Sequence, residues 1–177
     1  MKVVSRHHYA AAPDLVFAAL TDPAVLAEKY TALGHHDIEI IEHSATKTGV
    51  SVRSRRSVPL EVPGFAKRFL SPTNKVEQHD TWGPAAADGT RTGTWAVDAK
   101  GVPVKVGGTL KVSPEGDGTL CEIVGEVTSS VPLLGGKLAS YLGGDVERTI
   151  HAEEAFNDAH LKKMAPAPRR RRPPAKS

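Results

Sequence analysis

The sequence predicts an α+β fold: a curved antiparallel sheet of about six to seven strands wrapped around a long C-terminal helix, with two short helices after the first strand. Three observations carry this reading. Residues 37–130 read as strand after strand, separated by segments rich in glycine, proline and aspartate. From about Leu133 to Leu161 there is no proline, and Leu134, Leu138, Leu142, Val146 and Ile150 recur at steps of four. Residues 9–34, "YAAAPDLVFAALTDPAVLAEKYTALG", break at "TDP" into two helical pieces, each too short to stand alone in water.

The elements follow in order. Val3 to Tyr9 reads as the first strand, with imperfect alternation. Pro13 suits the first turn of a helix, where its missing N–H costs nothing, and Asp14 complements the positive end of the dipole. Leu15, Val16, Ala19 and Leu20 give that helix an apolar stripe. Thr21 or Asp22 then caps a second helix with Pro23 at its first position, which runs through Val25, Leu26, Tyr30 and Leu33 to a left-handed stop at Gly34.

The strands come next. "DIEIIEHSA" and "GVSVRSRRSV" form a hairpin that turns at "TKTG". The proline-rich "VPLEVPGFAKRFLSPTN" interrupts them, with a short helix candidate in "GFAKRFL". "KVEQHDTW", "TRTGTWAVDA", "VPVKVGGTLKVS" and "TLCEIVGEVTSS" follow. In the third of these, Val102, Val104, Val106, Leu110 and Val112 share one face and Lys105, Thr109 and Lys111 the other, the pattern of a sheet wet on one side only. Such a meander curls, and its dry face needs a cover. The closing helix, about 28 residues and roughly 40 Å long, is the one element that can supply it.

Composition bounds the rest. With 177 residues, 40% of them hydrophobic, the chain is a single-domain globular sequence. No apolar run approaches the roughly 20 residues of a membrane span. "MKVVSRHHYA" lacks the apolar centre of a secretory signal, and the expected location is cytoplasmic. The single cysteine, Cys121, excludes an intramolecular disulfide and a cysteine-based zinc cluster. The net charge of +3 is unevenly placed: Lys162, Lys163, Arg169, Arg170, Arg171, Arg172 and Lys176 are unopposed by any acid, giving a tail of +7 on a body near −4. The domain is therefore expected over residues 1–161, with 162–177 a disordered Pro/Arg-rich tail. That tail suits weak electrostatic contact with an anionic membrane or nucleic acid, and it carries no aromatic residue on which a base would stack.

Candidates for chemistry are sparse. Gly135–Gly136 and Gly143–Gly144 interrupt the long helix, either to leave room for a ligand or to allow close contact with the sheet. His7–His8 and His35–His36 cannot chelate if extended, because neighbours on a strand point to opposite faces. His151 shares a helical face with Glu147 and Glu154, more simply a solvated face than a metal site. His7 has the strand parity of Val3 and Tyr9, which turns it inward to orient a polar ligand group or to act as a general base, though no acid partner is visible for it. Arg53 and Arg55 fall on one face of their strand and Arg56 on the other, with Val50, Val52 and Val58. Arg56 thus reaches inward to a carboxylate ligand or a buried acid, or snorkels to an open sheet end, the blander reading. Cys121 alternates with Ile123 toward the core, where a thiol is inert. Neither a "GxSxG" nor a phosphate-binding glycine loop is present, and no catalytic residue, metal or cofactor is assigned.

Strand, "APDLVFAALTDPAVLAEKY", strand meander and closing helix together resemble the START-like, or SRPBCC, superfamily with its helix-grip fold. Pro13, Val16, Phe17, Leu20, Thr21, Asp22 and Pro23 carry the signature, and residues 1–161 carry the overall pattern, which is similar to an uncharacterised bacterial family. The resemblance implies a hydrophobic cavity between sheet and helix. On the inward faces, the expected lining is His7 and Tyr9 from the first strand, Trp95, Val106, Leu110 and Ile123 from later strands, and Leu138, Tyr141, Leu142 and Val146 from the helix. Members of the superfamily differ in use, so three functions follow as expectations. The first is binding of a hydrophobic small molecule or lipid. The second is an enzyme of the polyketide cyclase/aromatase type, with polar side chains converging in the cavity. The third is a protein-interaction domain with a filled core.

Overall fold

The computed structural model describes residues 1–165. The elements are β1 (Lys2–Tyr9), α1 (Pro13–Thr21), α2 (Pro23–Ala32), β2 (His36–Thr46), β3 (Gly49–Pro59), β4 (Thr73–Trp82), β5 (Arg91–Ala99), β6 (Val104–Glu115), β7 (Gly118–Ser129) and α3 (Gly135–Met164). All seven strands form one antiparallel sheet in the order β1-β7-β6-β5-β4-β3-β2. The first two strands therefore lie at opposite edges, and α1 and α2 carry the chain between them. That explains the break at "TDP": the crossover must turn as it travels. Asp22 makes the corner, accepting hydrogen bonds from the Ala24 and Val25 amides at 2.8 and 3.1 Å while Pro23 opens α2. Gly34, at φ +82°, ends the crossover in the left-handed conformation.

The helices bury their apolar sides against the sheet. Phe17 of α1 meets Trp82 edge to face at 5.4 Å, within a core that includes Tyr9, Val112, Cys121 and Leu161. Leu26 and Tyr30 of α2 pack on Val52 of β3. Ala139 of α3 packs on Val3 and Val127. Two glycines of α3 serve close approach: a Cβ on Gly135 would sit 2.7 Å from the Ser129 carbonyl oxygen, and one on Gly143 would collide with the Met1 side chain, while Gly136 faces open space and Gly144 the end of the Arg148 side chain at 3.6 Å. In the sheet, Gly125 lets the Trp95 indole approach the β7 backbone closely, since a Cβ there would stand 2.5 Å from Cζ2.

The proline-rich segment between β3 and β4 contains a 3₁₀ turn at Gly64–Ala66 and straps across the start of α3. Phe65 sits under the Lys137 ammonium, 4.3 Å from the ring centroid, and edge-on to Tyr141 at 6.2 Å. The Tyr141 hydroxyl donates to the Glu61 carbonyl. The long helix runs three residues beyond the expected boundary at 161, and Leu133 precedes it rather than opening it. The disorder expected of the tail concerns segments that, past residue 165, lie outside the described residues. Among the described residues no helix is long and apolar enough to cross a membrane.

Candidate functional site

Sheet and α3 do not close completely on each other. They leave a cavity of about 210 Å³ between the concave face and the helix. Inward residues alternate along each strand. β4 contributes Val76, Gln78, Asp80 and Trp82, β5 contributes Trp95, Val97 and Ala99, and β6 contributes Val104, Val106 and Leu110. Cys121 and Ile123 come from β7, and Leu142, Val146, Thr149, Ile150 and Glu153 from α3. Val58, Leu60, Leu70 and Val102 add more apolar surface near the strap. Most of this wall is aliphatic.

One part of it is not. Arg56 of β3 is inward and only 4% exposed. Its guanidinium stacks 3.9 Å from the Tyr30 ring centroid. Nε donates to His35 Nδ1 at 3.2 Å, Nη1 to Ser54 Oγ at 3.1 Å and Nη2 to Gln78 Oε1 at 2.7 Å. Gln78 in turn donates its amide to both Asp80 oxygens, at 3.0 and 3.1 Å. Beside them Lys29, 2% exposed, pairs with Glu153 at 2.9 Å and lies 5.6 Å from the same Tyr30 ring. Helix α2, strands β3 and β4 and helix α3 thus converge on one polar corner.

Burial sets the ionisation there. Burial alone would push the Lys29 ammonium down, but the Glu153 carboxylate outweighs it and raises its pKa. Burial likewise works against Glu153, and Lys29 with Arg56 holds its pKa below the ordinary value. Asp80 has no such partner, and burial pushes it up to about 6, against the Gln78 hydrogen bonds. Burial, then the charge of Arg56, pushes His35 down to about 4, so it is a neutral acceptor at Nδ1. Burial also pushes the Cys121 thiol up to about 12, which leaves it unreactive.

The structure brings Trp95, Val106, Leu110, Ile123, Leu142 and Val146 together around the cavity. It places the other four expected residues elsewhere. His7 and Tyr9 have inward parity, but β1 is an edge strand covered directly by α3. His7 Nε2 bonds Asp158 at 2.9 Å, and the Tyr9 hydroxyl accepts from Asn157 at 3.2 Å. Leu138 packs on Ala66 and Leu70 under the strap, where Tyr141 also engages. Arg53 and Arg55 point to water, Arg53 paired with Glu77 and Arg55 with Glu77 and Glu39. His151 binds Glu154 at 2.9 Å, and Glu154 also accepts from Ser5. The expectations did not include Lys29, Tyr30, His35, Gln78, Asp80 or Glu153. Glu153 stands four residues beyond Thr149 on the apolar stripe of α3, and Lys29 three beyond Leu26 on the buried side of α2. Charged residues on buried stripes were the available signal.

Comparison with known proteins agrees with this architecture. A family model described as "Protein of unknown function (DUF2505)" matches residues 5–161. Uncharacterized protein Rv0481c of Mycobacterium tuberculosis (strain ATCC 25618 / H37Rv) is 27% identical over 97 residues, covering 54% of this chain and 55% of that protein. The matched stretch thus spans about half of that relative's length. Among solved structures, the Zhui aromatase/cyclase from Streptomyces sp. R1128 superposes with a TM-score of 0.64 at 17% identity, over 92% of this chain and 94% of that one. The STAR-related lipid transfer protein from Xanthomonas axonopodis gives 0.58 at 18% identity, over 90% and 84%. The protein TTHA0849 from Thermus thermophilus gives 0.61 at 15% identity, over 90% and 99%. The chain has the START-like helix-grip fold, and these likenesses speak to fold alone.

Proposed function

We propose that this chain, which belongs to the DUF2505 family, binds a small hydrophobic molecule in the cavity between its sheet and α3. The observation that carries the reading is the cavity itself: an aliphatic chamber with one polar corner, in a fold whose other interior faces are packed. A filled core, the expectation for a pure interaction domain, does not describe it. Its volume of about 210 Å³ falls below the roughly 300–1,000 Å³ of pockets for drug-sized ligands. A single ring system or a short chain fits that space better than a two-chain lipid.

Native mass spectrometry of the full chain purified from a cell extract, with organic extraction of what it carries, tests this. Val106→Phe, which fills the chamber, serves as the control. A reproducible added mass that is absent from V106F supports the reading. Bare protein in both, together with no uptake of an environment-sensitive apolar dye by the wild type, sinks it.

Asp80 favours a second reading, catalysis of the polyketide cyclase/aromatase type on the molecule held there. A carboxyl group poised near pH 6 in an apolar chamber suits proton transfer. Incubating the protein with a short poly-β-ketone thioester would reveal cyclised product. The D80N variant should form it at least about a hundredfold more slowly if Asp80 moves the proton.

A further inference from the structure

A guanidinium out of water is ordinarily paired with a carboxylate, because an uncompensated buried charge is strongly unfavourable. The wet face of β3 keeps that rule, with Arg53 and Arg55 held by Glu39, Glu42 and Glu77. The dry face breaks it. Arg56 is the deeply buried arginine, yet its hydrogen bonds go to His35, Ser54 and Gln78, all uncharged partners. Among the described residues no carboxylate forms an ion pair with it. The acids of the cavity wall are engaged elsewhere: Glu153 with Lys29 at 2.9 Å, Asp145 with Arg148 at 3.2 Å, and Asp80 with the Gln78 amide at 3.0 Å.

Hydrogen-bond capacity tells the same story. Arg56 uses three of its five N–H groups, leaving one on each terminal nitrogen. Lys29 uses one of three on Glu153. His35 accepts at Nδ1, so its ring proton sits on Nε2 as another donor. The corner therefore holds spare donors and a buried guanidinium with no direct carboxylate partner, at the end of an aliphatic chamber.

We propose that the molecule held in the cavity is a small carboxylic acid, whose carboxylate pairs with Arg56 while its apolar body lies against β4, β5, β6 and α3. The inference rests on reading the cavity as a ligand site. One carboxylate supplies the direct partner that Arg56 lacks, since the guanidinium reaches Asp80 only through the Gln78 amide. A phosphate dianion would place a second charge beside Glu153 and Asp80, so a monoanion is the better complement. The volume of about 210 Å³ limits the acid to a short chain or a compact aromatic body.

The test is calorimetric titration of the full chain at pH 7.5 with two matched pairs, octanoate against octan-1-ol and 2-naphthoate against 2-naphthol. The acids should bind about tenfold tighter or more than their neutral partners, the effect of one charge-assisted pair. Arg56→Gln should erase that preference, bringing each acid and its neutral partner within about twofold of one another. Equal affinity of acid and neutral partner in the wild type overturns the inference and leaves the cavity reading standing. Binding of none of the four overturns the cavity reading and the inference with it. Should R56Q fail to fold, the wild-type ratio decides alone, because it needs no variant.

Discussion

The Lys29 ammonium and the Glu153 carboxylate meet at 2.9 Å inside the fold, joining α2, the second arm of the crossover, to the closing helix α3. The pair lies where the two short helices need an anchor, since neither is long enough to be stable alone.

Lys29→Met removes one partner and leaves Glu153 buried without its counter-ion. Urea denaturation should show a loss of about 3–5 kcal/mol. Lys29→Met with Glu153→Met removes both charges and should restore most of that loss, because the penalty lies in the orphaned charge. A double variant as unstable as the sum of its singles would show that the ion pair does not act as a unit.

The polar corner also predicts two opposed pH dependences. Asp80, raised to about 6 from 3.8, holds its proton longer in the native state than in the unfolded one. Stability is therefore lost as pH rises from about 4 to 6, by about 3 kcal/mol at most. His35, lowered to about 4 from 6.5, acts the other way: its contribution is full above pH 6.5 and is lost as pH falls toward 4. In the wild type the two slopes largely cancel between pH 4 and 6. Asp80→Asn should be more stable than wild type at pH 7.5 and lose stability steadily on acidification. A denaturation series from pH 4 to 8 in which D80N merely parallels the wild type would contradict this.

Gly125 and Trp95 give a third prediction. A methyl group at Gly125 meets the indole at 2.5 Å, and the β7 backbone cannot retreat while paired on both sides with β1 and β6. Gly125→Ala should cost about 1–3 kcal/mol and alter the near-ultraviolet circular dichroism as the indole tilts. An unchanged spectrum at wild-type stability would mean that the close fit carries no constraint.

A fourth concerns the strap. The Tyr141 hydroxyl holds the Glu61 carbonyl and Phe65 contacts both Tyr141 and Lys137, in a strap whose Leu60 and Leu70 line the chamber. Tyr141→Phe should cost only about 1 kcal/mol in stability. It should also accelerate both uptake and release of an apolar dye in stopped-flow measurements. Unaltered rates would place the entrance elsewhere.

Much of the architecture was legible because it is written in apolar periodicity. Val104, Val106, Leu110 and Val112 alternate on β6, and Leu138, Leu142, Val146 and Ile150 step along α3. Pro13, Asp22, Pro23 and Gly34 punctuate the crossover by their backbone chemistry. Parity also identified inward residues such as Trp95 and Ile123, but it says nothing about what covers them. His7 and Tyr9 turn inward, yet α3 rests on their strand, so they lie against Asp158 and Asn157. The polar corner was harder still. β4 reads Gln78, His79, Asp80, Thr81, polar on both faces, so hydropathy cannot say which face is dry. Arg56 was a different case: its parity pointed inward, and the choice between burial and snorkelling depended on Tyr30, distant in sequence, being there to receive it.

If the corner holds an anion as proposed, Arg56 bears on rate as well as on affinity. Its water shell was stripped when the sheet closed, and its geometry is held by Tyr30, His35, Ser54 and Gln78 rather than by anything that arrives later. An anion reaching that corner meets a receptor that needs neither to dehydrate nor to rearrange, so only the newcomer has solvent to shed. The same fixity makes the corner a poor adapter: a partner whose charge sits an ångström out of place gains little, because the wall cannot follow it.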